Sequence, residues 1–273
     1  MSHNKLDRIK IFAGKLYHAK KKSFSDDSAR MRKEGPRILA NSIPKAGTHL
    51  MESALNLIPG IVFSGDRTLM DWEGSDLAIL KKISRLKRGQ FANAHLPASD
   101  AYLRVVEEHD IRVLMTIRDP RDVIVSHAKY VNEIDKTHRS HHIMAALPDD
   151  DARLMAVICG VDGFIAPVDE LWRRYQAWFE HPSALVIKFE DMVGAKGGGS
   201  SEAQLETVQR VVAHLGLDLS EEIIRDVSDN IFNPKAPTFR KGVTGNWKKH
   251  FKEEHIQAFM DRTGDLLSRL GYE

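Results

Sequence analysis

The sequence predicts an α/β fold in which a central parallel sheet is flanked by helices on both faces. Apolar segments of strand length alternate along the chain with longer amphipathic segments of helical period. The segments at 37–43, 111–117 and 184–189 are nearly continuous apolar runs, as expected for strands that are covered on both faces. The first of them leads through a tight turn into an amphipathic helix at 48–58. This strand–turn–helix order is typical of a parallel sheet.

Length and composition fit one sizeable domain. The chain has 273 residues, of which 42% are hydrophobic and 29% charged, and this is enough for one α/β core. We predict a single domain over 37–273, preceded by a basic N-terminal helix and linker over 1–36. A net charge of +2 does not predict a nucleic-acid partner. The one cysteine, Cys159, excludes an intrachain disulfide and predicts a reducing, cytoplasmic location.

The first 22 residues are basic and amphipathic. They carry one acid, Asp7, against six lysines and one arginine, and their apolar residues fall on one helical face. No apolar run in the chain approaches the ~20 residues that span a membrane. A weak contact with an anionic membrane surface is one use for such a segment. We favour a helix packed on the domain, or a tail, followed by a polar linker over 23–36.

The turn at residues 43–49 (Ile-Pro-Lys-Ala-Gly-Thr-His) is the first candidate binding element. A strand that passes directly into a helix aims free backbone amides and the positive end of the helix dipole at one point, which suits a phosphate or sulfate. Lys45 adds a mobile positive charge and Thr48 a hydroxyl donor. The order is not that of a Walker A loop, because the lysine precedes the glycine. By itself the turn also fits an ordinary connection with a surface lysine.

Two further polar residues follow predicted strands. His95 ends the short strand at 91–94, and Arg118 follows the strand at 111–117. The helix after Arg118 places Ser126 about two turns along. Because the carboxyl ends of parallel strands meet at one edge of a sheet, we expect Lys45, His95 and Arg118 to lie at the same edge.

The long connections are harder to interpret. Residues 132–162 are predicted to be an insertion over the sheet that helps to shape a substrate pocket. A metal site from His138, His141 and His142 is conceivable, but their spacing matches no standard ligand pattern, so we favour a loop that faces solvent or substrate. Residues 233–247 contain two prolines, two glycines and a basic pair, which predicts a loop that can fold over an anion. Aromatic spacing predicts a helix at 164–179, and a last helix is predicted at 252–270.

Taken together, several segments resemble the sulfotransferases that use 3′-phosphoadenosine 5′-phosphosulfate (PAPS), of the cytosolic and bacterial type. Each motif is weak alone, but the set is specific because it occurs in the order of the family and extends from residue 38 to about 251. The matching segments are 44–49, similar to the 5′-phosphosulfate loop, 118–126, similar to the 3′-phosphate segment, 240–248 (Arg-Lys-Gly-Val-Thr-Gly-Asn-Trp-Lys), similar to a C-terminal element, and the short signatures 95–97 (His-Leu-Pro) and 189–192 (Phe-Glu-Asp-Met).

The resemblance implies a P-loop-like sulfotransferase fold and an enzyme that transfers a sulfuryl group from PAPS, leaving PAP, to an acceptor hydroxyl or less readily an amine. It implies that His95 is the general base and that Lys45 stabilises the leaving phosphate, with no metal required. The cofactor-binding residues that it implies are Lys45, Ala46, Gly47, Thr48 and His49 for the phosphosulfate, Arg118, Ser126, Arg240, Lys241 and Gly242 for the 3′-phosphate, and Phe189 near the adenine.

One departure and several alternatives remain. Asn93 stands where relatives often carry a lysine, two residues before the histidine. Glu52, one turn into the first helix, is a rival base to His95, and Arg118 has an alternative use as an ion-pair partner of Asp122 or Asp119. The other functions considered are an ATP-dependent, kinase-like phosphotransferase and a non-catalytic nucleotide-binding module. The acceptor is expected to be a polar small molecule or a glycan with a hydroxyl, and the oligomeric state is left open.

Overall fold

A computed structural model describes residues 26–72, 74–232 and 243–272. Within these ranges six parallel strands form one sheet with the order β2-β4-β1-β5-β6, and β3 pairs with β4 beyond the end of β2. Helices cover the sheet, so the predicted α/β class with a central parallel sheet is confirmed. The strands are β1 (Arg37–Ser42), β2 (Val62–Phe63), β3 (Leu69–Met70), β4 (Gln90–His95), β5 (Ile111–Ile117) and β6 (Ala184–Lys188).

The helices of the described ranges are mostly short. None of them is both long enough and apolar enough to cross a lipid bilayer. In chain order they are α1 (Asp26–Glu34), α2 (Thr48–Leu57), α3 (Asp76–Ser84), α4 (Asp100–Glu108), α5 (Pro120–Lys129), a π-helix (Tyr130–Ile134), α6 (His141–Ala146), α7 (Asp150–Cys159), α8 (Val168–Arg173), α9 (Gln176–Phe179), α10 (Phe189–Met192), α11 (Ser201–His214), α12 (Glu221–Asn230), α13 (Glu253–Thr263) and α14 (Leu266–Leu270), with 3-10 turns at Ala195–Gly197 and Asn246–Lys249.

The sheet separates two apolar cores. Successive residues of a strand point to opposite faces, so Ile38 packs into one core while Leu39 packs into the other. In the same way Leu114 and Met115 of β5 belong to different cores. Burial on both faces explains why these strands are almost continuously apolar in the sequence.

The register of the strands sets the position of the candidate site. Ser42 at the end of β1 pairs with Thr116 of β5, and Asn41 pairs with Ala94 of β4. The chain segments that leave these three strands therefore begin at the same edge. Lys45, His95 and Arg118 consequently lie along one edge of the sheet, as expected from the sequence.

The predicted linker before the first strand is partly a helix. Residues 26–34 form α1, and Met31 is buried in the same core as Ile38. The segment is mostly polar, and its helix is attached through few apolar contacts. The sequence therefore did not indicate a helix there. The basic helix predicted over the first 22 residues lies outside the described residues.

Two predicted helices are divided, and the proposed insertion is largely helical. The helix predicted at 164–179 becomes α8 and α9, with a break at residues 174–175. It begins only at Val168, because the backbone before Pro167 disfavours helix. The helix predicted at 252–270 is broken by Gly264, whose backbone is not helical. Within 132–162 the chain forms α6 and α7, and α7 packs against α5 and α13.

Candidate functional site

The turn between β1 and α2 has a backbone shape that few residues permit. Lys45 and Gly47 both have positive φ angles, of 72° and 116°. A side chain at position 47 would meet Phe189, because a Cβ there would lie 2.6 Å from the ring carbon Cδ2. In the described part of the chain the amides of Gly47, Thr48 and His49 donate to no protein acceptor. The turn therefore offers a set of amide donors together with a lysine at its crest.

The other residues of the turn have different roles in the structure. The amide of Ala46 donates to the carbonyl of Ile43 at 3.0 Å, and the Ala46 side chain is buried, so this residue closes the turn. The imidazole of His49 is half exposed and lies 3.5 Å from the carboxylate of Glu52. The hydroxyl of Thr48 is 2.7 Å from that of Ser42.

Ser42 connects the turn to His95. The Nδ1 atom of His95 lies 2.9 Å from the Ser42 carbonyl oxygen and 3.2 Å from its hydroxyl. Because a carbonyl oxygen only accepts hydrogen bonds, Nδ1 carries the proton and Nε2 keeps its lone pair. Burial is the main cause that lowers the pKa of His95 to about 4; the hydrogen bond to Ser42 opposes this shift, and the charge of Lys45 acts in the same direction as burial. His95 is therefore neutral at pH 7, in the tautomer that a general base needs.

Trp72 lies next to His95 and was not identified from the sequence. The two rings are nearly parallel, with 8° between their planes and 6.3 Å between their centroids. The indole is 47% exposed, which is unusual for so large an apolar side chain. Trp72 lies in the loop that follows β3, and the pairing of Met70 in β3 with His95 in β4 brings this loop to the edge of the site.

Arg118 and the turn meet at Phe189. The guanidinium of Arg118 lies 4.5 Å from the centroid of the Phe189 ring, and the same ring packs against Gly47. One terminal nitrogen of Arg118 donates to Asp122 at 3.2 Å and to the carbonyl of Val243 at 2.9 Å. Its Nε is buried without a hydrogen-bond partner in the described ranges. The turn and Arg118 thus lie on the same Phe189 ring, which connects them.

Asp122 attaches the C-terminal segment to the site. Its carboxylate is buried and accepts hydrogen bonds from the amides of Gly245 and Trp247, each at 2.8 Å, as well as from Arg118. The sequence indicated Asp122 only as an ion-pair partner of Arg118. Its role as an anchor for residues more than one hundred positions away had no local signal.

On the cofactor assignment that the resemblance implies, we predict that Asp122→Asn weakens PAP binding. Asparagine replaces one carboxylate oxygen of Asp122 by an NH₂ group. At the position of either oxygen, this group would face an N–H donor and could not accept its hydrogen bond, so the C-terminal segment loses its anchor. The PAP Kd should rise about 10–100-fold, or about 1.4–2.8 kcal/mol, in calorimetric titration. Asp218→Asn, at an exposed position, is the matched control. An unchanged Kd in a folded Asp122→Asn protein would show that the attachment does not support the nucleotide site.

The remaining predicted 3′-phosphate residues divide between the two parts of the chain. Ser126 lies on α5, half-buried, about two turns after Arg118. Arg240, Lys241 and Gly242 lie outside the described residues. The segment that follows them, from Val243, reaches Arg118 directly.

Asn93 and Glu52 form a buried pair beside the turn. The Asn93 side-chain amide donates to the Glu52 carboxylate at 3.1 Å, and both side chains are almost fully buried. Asn93 therefore does not replace the missing lysine as a mobile cation. The carboxylate of Glu52, only 4% exposed, is less accessible to an acceptor than the imidazole of His95.

The three histidines weighed as metal ligands have separate partners. Nδ1 of His138 accepts from the Ser140 amide, Nδ1 of His141 bonds to the Val131 carbonyl, and His142 packs edge-on against Phe164. These contacts fit side chains that organise the segment between α5 and α7. They do not form a common ligand set among the described residues.

Comparison with known proteins identifies the family. A sequence profile of the sulfotransferase domain matches residues 36–271. The curated Sulfotransferase 1E1 of Bos taurus is 22% identical over 196 residues, which cover 63% of this chain. The match spans 60% of the length of that relative.

Solved structures show the same fold. Mouse sulfotransferase SULT7A1, complexed with PAP, superposes with a TM-score of 0.62 at 17% identity, covering 92% of this chain and 94% of that one. Retinol dehydratase, in complex with androsterone and the inactive cofactor PAP, gives a TM-score of 0.56 at 19% identity, with coverage of 88% and 84%. A second retinol dehydratase complex, with retinol and PAP, also gives 0.56, at 18% identity and the same coverage. The domain match extends over most of the chain, and the chain belongs to the sulfotransferase family.

Proposed function

We propose that this protein transfers a sulfuryl group from PAPS to an acceptor hydroxyl, in line, with His95 as general base and Lys45 stabilising the leaving phosphate. The observation that carries the proposal is the shared edge of the sheet. There Ser42 links His95 to the turn that bears Lys45, and Phe189 links the turn to Arg118. The donors proposed for two separated anionic groups and one neutral base thus lie along the same edge of the sheet.

The donor groups fit a nucleotide that carries phosphate groups on both the 5′ and the 3′ oxygen of its ribose. The amides of Gly47, Thr48 and His49, with Lys45, would hold the 5′-phosphosulfate. Arg118, with its unused Nε, and Ser126 would hold the 3′-phosphate, which distinguishes PAPS from ATP. Arg240, Lys241 and Gly242 remain predicted members of this second set. When bound, PAPS supplies the sulfuryl group and a phosphate as leaving group.

Lys45 is suited to stabilise charge that develops during transfer. Negative charge grows on the oxygen of the departing phosphate, so a cation and fixed amides beside it bind the transition state more strongly than the ground state. Because the turn is already formed, these donors need little reorganisation. The proposed reaction requires no metal ion, because Lys45 and Arg118 supply the positive charge.

His95 is suited to accept the proton of the acceptor. Its Nδ1–H is fixed by Ser42, so Nε2 is the basic nitrogen, and the low pKa keeps that nitrogen unprotonated at neutral pH. The half-buried imidazole lies beside the exposed ring of Trp72, at the edge where an acceptor would enter. We propose a small molecule or a glycan with a hydroxyl as acceptor. Retinol dehydratase, a protein of the same fold, has been solved with androsterone and with retinol.

The proposal is tested by following the labelled group. The protein is incubated with PAPS carrying ³⁵S and a panel of phenols, sterols, monosaccharides and oligosaccharides, and products are separated by chromatography. We expect label on at least one acceptor, with release of PAP. A parallel reaction with γ-labelled ATP and Mg²⁺ should transfer nothing, and transfer there would favour the kinase-like alternative. PAP binding without transfer to any acceptor would favour a non-catalytic module.

A further inference from the structure

The ammonium of Lys45 lies over the face of the Tyr130 ring, 3.7 Å from its centroid. We propose that Tyr130 is a positioning residue that holds the charge of Lys45 toward the reacting group. The inference rests on the proposed role of Lys45. Tyr130 belongs to none of the segments through which the chain resembles its family, and it lies in a part of the chain that the sequence assigned to neither the nucleotide nor the base.

An aromatic face holds a cation without neutralising it. A carboxylate partner would cancel much of the positive charge that the leaving phosphate needs. The ring attracts the ammonium through its quadrupole, and such contacts are strongest where water is excluded. The contact with the ring leaves the formal charge of the ammonium unchanged, so it is compatible with the binding of an anion by the same lysine. Tyr130 is therefore a suitable support for a lysine that acts by its charge.

The structure fixes the ring from its far end. The Tyr130 hydroxyl donates to Oδ2 of Asp135 at 2.9 Å. The other oxygen of Asp135 accepts from the hydroxyl and the amide of Thr137, at 2.6 and 3.2 Å. Asp135 is buried, so this carboxylate has a defined position.

A π-helix presents Tyr130 to the turn. Residues Tyr130–Ile134 are wound with the wider π-helical turn, and the Asp135 amide donates to the Tyr130 carbonyl at 2.9 Å. This π-turn extends the C-terminal end of α5, and single π-turns occur frequently at functional sites. Here the π-turn begins at the residue that meets Lys45.

The neighbouring histidine adds no competing charge. Burial is the main cause that lowers the pKa of His127 to about 3, and the charges of His138 and Lys45 act in the same direction. His127 is therefore neutral in the working range of pH and places no second positive charge beside Lys45.

The test replaces Tyr130 by Phe and by Leu, in the wild-type chain and in Lys45→Ala, with steady-state transfer from ³⁵S-labelled PAPS at varied acceptor concentration as the assay. Phe keeps the ring face, so Tyr130→Phe should stay within about 3-fold of wild type. Leu removes the face and should lower kcat about 5–30-fold, with little change in the acceptor KM. In the Lys45→Ala background, Tyr130→Leu should cause no further loss.

A second measurement separates the ring's charge effect from packing. Phenylalanine with one, two and three ring fluorines at position 130 keeps nearly the same shape while the ring face becomes less negative. We expect log kcat to fall steadily along this series, a trend that remains readable even if Tyr130→Leu unfolds. An equal effect of Tyr130→Leu with and without Lys45, a higher acceptor KM at unchanged kcat, or a flat fluorine series would each overturn the proposal. Full activity of Lys45→Ala alone would instead refute the proposed role of Lys45, whereas absence of transfer from PAPS by the wild-type protein would refute the proposed function.

Discussion

Lys45→Ala is expected to lower kcat for sulfuryl transfer by about 10²–10³-fold, the cost typical of removing one preorganised group from a developing negative charge. The turn itself should survive, because Ala46 closes it and Gly47 packs on Phe189. PAP should still bind to the variant, since the turn amides and Arg118 remain. The loss should therefore appear in kcat more than in the Kd for PAP.

The measurement pairs a transfer assay with PAP titration on the same preparations. Lys81→Ala is the control, since that lysine is exposed on α3, away from the edge of the site. Position 45 has a positive φ angle, which alanine and lysine adopt with the same strain. A thermal melt of the variant should therefore show nearly wild-type stability. Normal transfer by Lys45→Ala would remove the basis of the proposed mechanism.

The sheet and the edge of the site were predictable from local signals. Neighbouring residues such as Ile38 and Leu39 face different cores. Because a strand that is buried on both faces needs apolar side chains at nearly every position, its sequence is a continuous apolar run. Parallel strands then bring their carboxyl ends together whatever lies between them. For that reason Lys45, His95 and Arg118 could be placed on one edge without knowledge of their contacts.

The contacts within the site could not be predicted, because each joins residues that are distant in sequence. Three such contacts are the hydrogen bond that the Trp247 amide donates to Asp122, the stacking of Trp72 on His95 and the contact of Lys45 with Tyr130. Each depends on how loops fold over the edge of the sheet. Amphipathic spacing also misses helix breaks, as at Gly264 in the last predicted helix, because the apolar face continues across the interruption. These are effects of tertiary structure on segments whose local patterns are ambiguous.

Replacement of His95 by glutamine is expected to lower kcat by about 10²–10⁴-fold, the range for a lost general base. Glutamine can still donate a hydrogen bond to the Ser42 carbonyl, so the local structure should be retained. His109→Gln, at the end of α4 and outside the site, is the control. A His95→Gln protein that transfers at the wild-type rate would exclude His95 as the base and return attention to Glu52.

The pH dependence of the wild-type enzyme gives an independent test of the same residue. Because burial lowers the pKa of His95 to about 4, its neutral form is present throughout the range above that value, and kcat/KM should not fall near 6.5 as it would for an ordinary histidine. Below pH 6.5 the unfolded chain binds protons that folded His95 and His127 do not, so the free energy of unfolding should decrease as the pH falls from 6.5 toward 4. Circular dichroism at each pH separates this loss of folded protein from protonation of the base. A decrease of kcat/KM centred near pH 6.5 in fully folded protein would mean that His95 is exposed to water in the working enzyme. That result would contradict the contact of His95 with Ser42.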